Sequence, residues 1–267
     1  MVIQLIIDFH THCFPDKIAK NTIDKLSYVS GGLIPQTDGT KESLLSSMNK
    51  NMVDKSVVLS IATNANQQKN VNDFAISLNN ERIIAFGSVF PFSHDWESEL
   101  ERLKESGVKG VKLHPDYQQF FVDDERIFPI YKKIEKLGFI LVFHAGEDFG
   151  FPPPYKATPE RLRKVLSIVE TPVVCAHWGS LLMCEDVLKY LCDIENCYFD
   201  TAFGYGTMPK ARALSILEKK GTEKIVFGSD SPWNDPSWDI GMLKTMGLTK
   251  DEEDKIFYKN AEKLLNL

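Results

Sequence analysis

The chain has 267 residues, of which 43% are hydrophobic and 25% are charged, as in an ordinary soluble globular protein. This length fits one large α/β domain, so a single domain is expected over residues 1–267. The formal net charge of −6 argues against nucleic acid as a partner, because an acidic surface repels polyanions.

The cysteines and the N-terminal residues predict a cytoplasmic protein. The five cysteines are odd in number and follow neither a disulfide nor a zinc-finger spacing, which is typical of reduced intracellular thiols. The first apolar run has no basic segment before it and is interrupted by Asp8, unlike a signal peptide. Since no apolar stretch approaches the length of a membrane span, no membrane partner is expected.

Short apolar runs alternate with longer amphipathic segments along the whole chain. The predicted strands are Ile3–His10, Ser56–Ile61, Ile83–Val89, Val108–His114, Phe139–His144, Pro172–His177, Cys197–Thr201 and Ile225–Ser229. The predicted helices are Lys41–Asn51, Asn66–Asn79, Trp96–Ser106, Glu125–Leu137, Pro159–Val169, Cys184–Cys192, Pro209–Lys219, Trp238–Met246 and Lys250–Leu264. This alternation predicts an α/β fold, a (β/α)₈ TIM barrel. The rival open, doubly wound sheet is disfavoured because no Gly-x-Gly-x-x-Gly follows the first strand.

One long stretch after the first strand carries no clear helical or strand pattern. It runs from Cys13 to Gly39 and contains Gly31, Gly32, Pro35 and Gly39. A long loop at the C-terminal end of a barrel strand is usually functional, so this segment is predicted to be a lid or a specificity loop.

Metal-binding residue types follow several of the predicted strands. Two histidines, His10 and His12, are two residues apart on the first strand, so their side chains are expected to share a face with that of Asp8. Three later strands end in single residues of the same kind: His144, His177 and Asp230. The C-terminal strand ends of a barrel converge, and a zinc-type ion needs three or four such donors. A shared divalent cation is therefore predicted, zinc rather than manganese on ligand type. Polar residues satisfied by hydrogen bonds at strand ends are the alternative.

These motifs together resemble the amidohydrolase superfamily. They are the segments Asp8-Phe-His-Thr-His12, Gly110-Val-Lys-Leu-His-Pro115 and Phe227-Gly-Ser-Asp-Ser-Pro-Trp233, with the two intervening histidines. The chain looks closest to amidohydrolase family 2, the branch that also contains aminocarboxymuconate semialdehyde decarboxylase and related hydratases and lactonases. The resemblance suggests a homodimer.

The resemblance also implies roles for the residues that match the motifs. The metal ligands would be His10, His12, His144 and Asp230. His177 would sit beside the activated water as a catalytic residue, and Asp8 would lie below the ligands. Asp230 would act both as a ligand and as the base that takes the water proton.

Two residues on the fourth strand leave alternatives open. Lys112 could be carboxylated and bridge two metals, with His177 then bound to the second ion, as in binuclear members of the superfamily. It could instead anchor a substrate carboxylate, or form an interior ion pair without a catalytic part. His114, before Pro115 at the strand end, is predicted to line the pocket and to contact the substrate.

Aromatic residues in the loops after the strands are further candidates for substrate binding. They are Tyr117, Phe151, Tyr155, Trp178, Tyr205 and Trp233. Packing of one loop against another is the alternative for this group.

The predicted function is metal-dependent hydrolysis of a C–N or C–O bond in a small, carboxylated molecule, through a metal-activated water. The alternative is a lyase, a decarboxylase or hydratase that uses the same site. Decarboxylases of the branch that the chain resembles tend to hold the substrate carboxylate with arginines. Here the arginines lie mainly on helices, which weakens the decarboxylase alternative. A nuclease is disfavoured by the acidic charge, and a non-catalytic binding barrel is disfavoured by the complete set of metal ligands.

Overall fold

The computed structural model describes residues 5–267, so the predicted start of the first strand at Ile3 lies outside the described residues. Eight parallel strands occur in the predicted order. They are β1 (Ile7–Thr11), β2 (Lys55–Leu59), β3 (Ile83–Phe86), β4 (Gly110–Leu113), β5 (Ile140–Phe143), β6 (Val173–Cys175), β7 (Cys197–Asp200) and β8 (Ile225–Val226). Regular pairing gives the order β1-β2-β3 in one sheet and β4-β5-β6-β7-β8 in another.

Backbone contacts outside the regular ladders join the two sheets at both seams. Between β3 and β4, the Gly87 N–H donates to the Gly110 carbonyl at 3.0 Å, and the Lys112 N–H donates to the Gly87 carbonyl at 2.8 Å. Between β8 and β1, the Phe9 N–H donates to the Phe227 carbonyl at 2.7 Å. A parallel bridge also joins Thr11 and Ser231. The strands therefore form the predicted (β/α)₈ barrel.

Helices follow the strands along the chain, and the last three come after β8. They are α1 (Asp16–Val29), α2 (Lys41–Asn51), α3 (Ala65–Leu78), α4 (Trp96–Glu105), α5 (Pro115–Gln118), α6 (Phe128–Lys136), α7 (Pro159–Leu166), α8 (Cys184–Tyr190), α9 (Lys210–Lys220), α10 (Pro236–Lys244), α11 (Lys250–Asp254) and α12 (Asn260–Leu265). A π-helical turn, Lys255–Lys259, joins the last two. Within residues 5–267, no helix is both long and apolar enough to span a bilayer.

The predicted irregular segment between Cys13 and Gly39 is wrong over its first half, because α1 occupies Asp16–Val29. Only Ala19 and Ile23 of this helix are buried, so its apolar stripe is too narrow to give a clear helical period. Its N-terminus also has no side-chain cap. The segment nevertheless lies at the C-terminal end of β1, where a lid or specificity element was predicted.

A β-bulge in β1 changes the predicted direction of one side chain. Asp8 pairs with Ser56 and Thr11 with Val58, so β1 contains one residue more than β2 over this interval. Because the bulge resets the alternation, Asp8 lies on the face opposite to His10 and His12. The prediction that all three share a face is therefore wrong for Asp8.

The barrel interior is closely packed at Gly110. A Cβ atom added there would lie 2.2 Å from the Phe86 ring, which is fully buried. We expect Gly110→Ala to lower the free energy of unfolding by about 1–3 kcal/mol through overpacking. The matched control is Gly241→Ala in α10, where nothing lies within 4 Å of the added carbon. Urea denaturation should show no loss for the control; equal losses in both variants would contradict the packing argument.

Candidate active site

A cavity of about 1200 Å³ opens at the C-terminal ends of the strands. Residues of β1, β2 and β4, of α1 and α3, and of the segments that follow β5, β6 and β8 contribute to its wall. Polar and aromatic lining residues include His10, His12, Lys112, His114, Tyr117, His144, Phe151, His177, Asp230 and Trp233. The predicted histidine, lysine and aspartate site residues, apart from Asp8, thus line one cavity.

His10, His12 and Asp230 present three ligand atoms to one point. The Nε2 atoms of the two histidines are 3.2 Å apart. Asp230 Oδ1 lies 3.4 Å from His10 Nε2 and 3.2 Å from His12 Nε2. Donors at about 2.0–2.1 Å from a tetrahedral ion lie about 3.3 Å from each other, so these spacings fit a metal of zinc size.

The protonation of the two imidazoles supports the same conclusion. His10 Nδ1 donates to Asp200 Oδ2 at 2.8 Å, and His12 Nδ1 donates to the Leu59 carbonyl at 2.8 Å. With these protons on Nδ1, both neutral rings turn an Nε2 lone pair towards the Asp230 carboxylate. Three acceptors in contact repel one another unless a proton or a cation lies between them. Hydrogen bonding through the distal ring nitrogen is the usual way in which metal-ligating histidines are held.

His144 and His177 extend this cluster. The distance from His177 Nε2 to His144 Nδ1 is 3.1 Å. His177 Nδ1 donates to the Ala202 carbonyl at 3.2 Å, and His144 Nε2 donates to the Glu147 carbonyl at 3.0 Å. Again two lone pairs face each other across the site.

The structure groups His177 differently from the sequence expectation. His177 lies with His10 and Asp230, their ligand atoms within 4.8 Å of one another. His144 instead belongs to a second such group, with His114 and Asp148. His177, as well as His144, is therefore placed to act as the fourth metal ligand.

Electrostatics keeps the donors in the forms that bind metal ions. Burial raises the pKa of the Asp230 carboxyl, but the adjacent His10, His12 and His177 outweigh burial and hold that pKa well below its usual value. Burial lowers the pKa of His10, His144 and His177, so their imidazoles stay neutral. Neutral imidazole and ionised carboxylate are the ligating states.

Left-handed backbone turns aim two of these side chains. Asp230 has φ of +67° and His177 has φ of +60°, a region that residues other than glycine rarely adopt. Such conformations cost energy and are concentrated at functional sites. Here they turn the chain directly after β6 and β8, where the two side chains enter the cavity.

Asp8 is buried and does not line the cavity, and its carboxylate binds the loop after β8. Its carboxylate accepts hydrogen bonds from the Ser229 N–H at 3.0 Å, the Ser229 hydroxyl at 2.5 Å and the His10 N–H at 3.2 Å. Burial raises the pKa of Asp8 to about 7. Because Ser229 precedes Asp230, these bonds fix one metal-ligand candidate relative to another.

Lys112 is the most deeply buried charged group of the cavity wall. Its side chain is 1% exposed, and among the described residues its Nζ has no hydrogen-bond partner. Burial lowers the pKa of this amine to about 8, while the charges of Asp200, Asp230 and Asp148 oppose that shift.

Sequence reasoning did not identify Asp200, the last residue of β7. Besides accepting from His10, it accepts hydrogen bonds from the N–H groups of His177 (2.8 Å) and Ala202 (3.1 Å). One carboxylate thus orients groups from three strands. Its position at the end of a predicted strand, like the positions of His144 and Asp230, is the feature of the sequence that indicates a site residue.

We expect Asp200→Asn to weaken binding of a divalent metal by about 10- to 100-fold, because an amide accepts less strongly from His10 Nδ1. The matched control is Asp193→Asn, an exposed residue that pairs with Arg163. Competition with a chromogenic chelator measures both affinities. Unchanged affinity in Asp200→Asn would show that this carboxylate does not support the metal site.

Asp148 is a second carboxylate that sequence reasoning missed. It lies 3.3 Å from His114 Nε2 and accepts from the Gly150 N–H at 2.7 Å. Burial raises the pKa of Asp148, but His114 and His144 outweigh it and keep the carboxyl ionised. The imidazoles of His114 and His144 stack at 4.1 Å, so His114 is part of the wall beside the candidate ligands.

The aromatic candidates divide into two groups. Tyr117, Phe151 and Trp233 line the cavity, and the first two rings contact each other at 4.8 Å.

The other three do not line the cavity, which corrects the prediction that they contact substrate. Tyr155 donates its hydroxyl to Glu147 at 3.0 Å. Trp178 is 1% exposed and packed within the core, while Tyr205 is 56% exposed and packs against Trp238. Loop packing therefore accounts for these residues.

A parallel barrel with histidines and carboxylates gathered at its C-terminal strand ends is the arrangement of metal-dependent barrel enzymes. The sequence model of amidohydrolase family 2, described as Amidohydrolase, matches residues 7–267. The chain belongs to this amidohydrolase family. No curated protein matches the chain.

Solved structures with a similar fold share little sequence with this chain. An uncharacterised TIM-barrel protein from Bordetella bronchiseptica is 18% identical, with 98% of each chain covered and a TM-score of 0.80. A probable 2-pyrone-4,6-dicarboxylic acid hydrolase from Acinetobacter baumannii, with citric acid bound, is 19% identical over 98% of this chain and 99% of that one (TM-score 0.69). A dihydroxybenzoic acid decarboxylase from Polaromonas, with manganese and 2-nitroresorcinol bound, is 13% identical over 99% of this chain and 97% of that one (TM-score 0.71). Both hydrolases and decarboxylases thus share the fold.

Proposed function

We propose that the protein is a metal-dependent hydrolase that cleaves a C–N or C–O bond in a small, carboxylated molecule through a metal-activated water. The observation that carries this proposal is the convergence of His10 Nε2, His12 Nε2 and Asp230 Oδ1 at mutual distances of 3.2–3.4 Å. The family membership supports an enzyme of the amidohydrolase type.

The donor set fits a divalent cation. His10, His12 and Asp230 would hold it, with His144 or His177 as a further ligand. The imidazole-rich set favours zinc, and manganese is the alternative. When bound, such an ion lowers the pKa of a coordinated water to about 7 and polarises a carbonyl oxygen.

The chain's own residues supply proton transfer. Asp230 is ionised and 13% exposed to the cavity, so it can accept a proton from the attacking water and return it to the leaving group. His177 Nε2 carries a lone pair because Nδ1 donates to Ala202. His177 is therefore suited to act as a proton acceptor rather than as a hydrogen-bond donor to the substrate carbonyl.

Decarboxylation or hydration with the same site is the second candidate. The observation that favours it is the number of decarboxylases among the solved structures with this fold. Among residues 5–267, however, no arginine lines the cavity, so the guanidinium clamp expected for a decarboxylase of this branch has no counterpart there.

One assay separates the two reactions. The metal-loaded protein is offered carboxylated esters, lactones and amides, and in parallel unsaturated and aromatic acids with carbon dioxide release as the readout. We expect turnover in the first panel that a chelator abolishes and added metal restores. Carbon dioxide release without hydrolysis would replace the hydrolase with the lyase, and turnover unaffected by complete metal removal would contradict both.

A further inference from the structure

The cavity contains a positive charge that no side chain within residues 5–267 neutralises by direct contact. Lys112 Nζ lines the cavity, is almost fully buried and has no hydrogen-bond partner among the described residues. A buried ammonium is costly without an anionic partner, so this position is prepared to receive an anion from the cavity. Its neighbours Asp200 and Asp230 already accept hydrogen bonds or ion pairs from histidines.

A second cationic surface in the cavity wall lies on α1. Lys17, Asn21 and Lys25 follow one another at intervals of four residues, so they share a face of the helix, and all three line the cavity. Within residues 5–267, neither Lys17 nor Lys25 forms an ion pair. Lys20, which does not line the cavity, pairs with Asp24 at 2.6 Å.

The acidic residues of the wall do not cancel these charges. Asp73 is paired with Lys69 and Arg102, and Asp148 is held by His114. The chain as a whole has a net charge of −6, yet the unpaired side-chain charges of its cavity are lysines, with Asp230 assigned to the metal. Cations concentrated in a cleft of an acidic protein focus the field and draw in anions.

We propose that the substrate is a dicarboxylate, with one carboxylate bound by Lys112 beside the metal cluster and the other bound by the Lys17–Asn21–Lys25 face of α1. The aromatic rings of Tyr117 and Phe151 line the cavity and suit the carbon skeleton that joins the two carboxylates. This inference rests on the proposed function for the reaction alone. The binding of the two carboxylates does not depend on which bond is cleaved.

Calorimetric titration of the metal-loaded protein tests the proposal with glutarate and isophthalate as dicarboxylates and with butyrate and benzoate as monocarboxylates. We expect the dicarboxylates to bind at least about tenfold more tightly. Lys112→Met should weaken both classes by at least about 30-fold, because a buried charge partner is lost. The double variant Lys17→Gln/Lys25→Gln should weaken only the dicarboxylates, by about 3- to 10-fold, as expected of exposed pairs. The matched control Lys20→Gln should change neither.

Three results would overturn the proposal. They are equal binding of the two classes by the wild-type protein, unchanged binding in a folded Lys112→Met variant, and an intact mass that shows Lys112 carrying carbon dioxide. If Lys112→Met does not fold, the comparison of dicarboxylates with monocarboxylates in the wild-type protein still tests the proposal. Failure of the proposed function looks different: dicarboxylates would bind with the same dependence on Lys112, but no bond in the ester, lactone and amide panel would be cleaved.

Discussion

Asp230→Asn should lower kcat/KM by at least about 10³-fold while leaving the protein folded, because it removes a metal ligand and a proton acceptor together. The Asp230 carboxylate lies against the Nε2 atoms of His10 and His12. An asparagine keeps the shape but has no charge, and its amide nitrogen cannot ligate a cation. The measurement is steady-state kinetics together with the metal content of each preparation.

The matched control for this prediction is Asp235→Asn, five residues further along the chain. Asp235 caps α10 by accepting from the Ser237 N–H and pairs with Lys50, so it lies outside the cavity wall. Asparagine is an equally good helix cap, and activity should change by less than about twofold. Near-normal turnover of Asp230→Asn with metal bound would show that Asp230 has neither role.

His177→Asn should lower kcat by about 10²- to 10⁴-fold, the range for loss of a positioned proton acceptor. Its Nε2 lies beside His144 and in the group with His10 and Asp230, and an asparagine in its place has no imidazole to accept a proton. The matched control is His94→Asn, an exposed histidine outside the cavity, which should keep full activity.

The pH profile gives a second readout for His177. Burial lowers the pKa of this imidazole below its ordinary value of 6.5, and the proton acceptor must be neutral to work. The step of the wild-type profile that belongs to His177 should therefore lie below pH 6.5, and it should be missing from the profile of His177→Asn. A profile of the same shape in both proteins, or a full rate in His177→Asn, would contradict this role.

The barrel and the residues at its strand ends were predictable because both follow from local patterns. Apolar runs such as those before His144 and His177 mark buried parallel strands, and the residue that ends such a run lies at the C-terminal rim of the barrel. All eight strands follow from this periodicity, but aiming Asp230 into the cavity also requires a left-handed turn that no local pattern indicates.

The parts that sequence reasoning missed depend on contacts between distant segments. The α1 helix has a narrow buried stripe, so its helical period was hidden, although it supplies one wall of the cavity. Asp200 is identified by its bond to His10, which is 190 residues away in the chain. The bulge that reverses Asp8 arises in the pairing of β1 with β2 and leaves no clear sign in β1 alone.

The most direct test of the central claim is the ratio of metal to protein chain, by elemental analysis after incubation with zinc or manganese and removal of free ions. For the wild-type protein we expect about one ion per chain, held by the donors gathered around His10. The double variant His10→Ala/His12→Ala should retain almost none. No bound metal in the wild-type protein, or the same content in both proteins, would contradict the account.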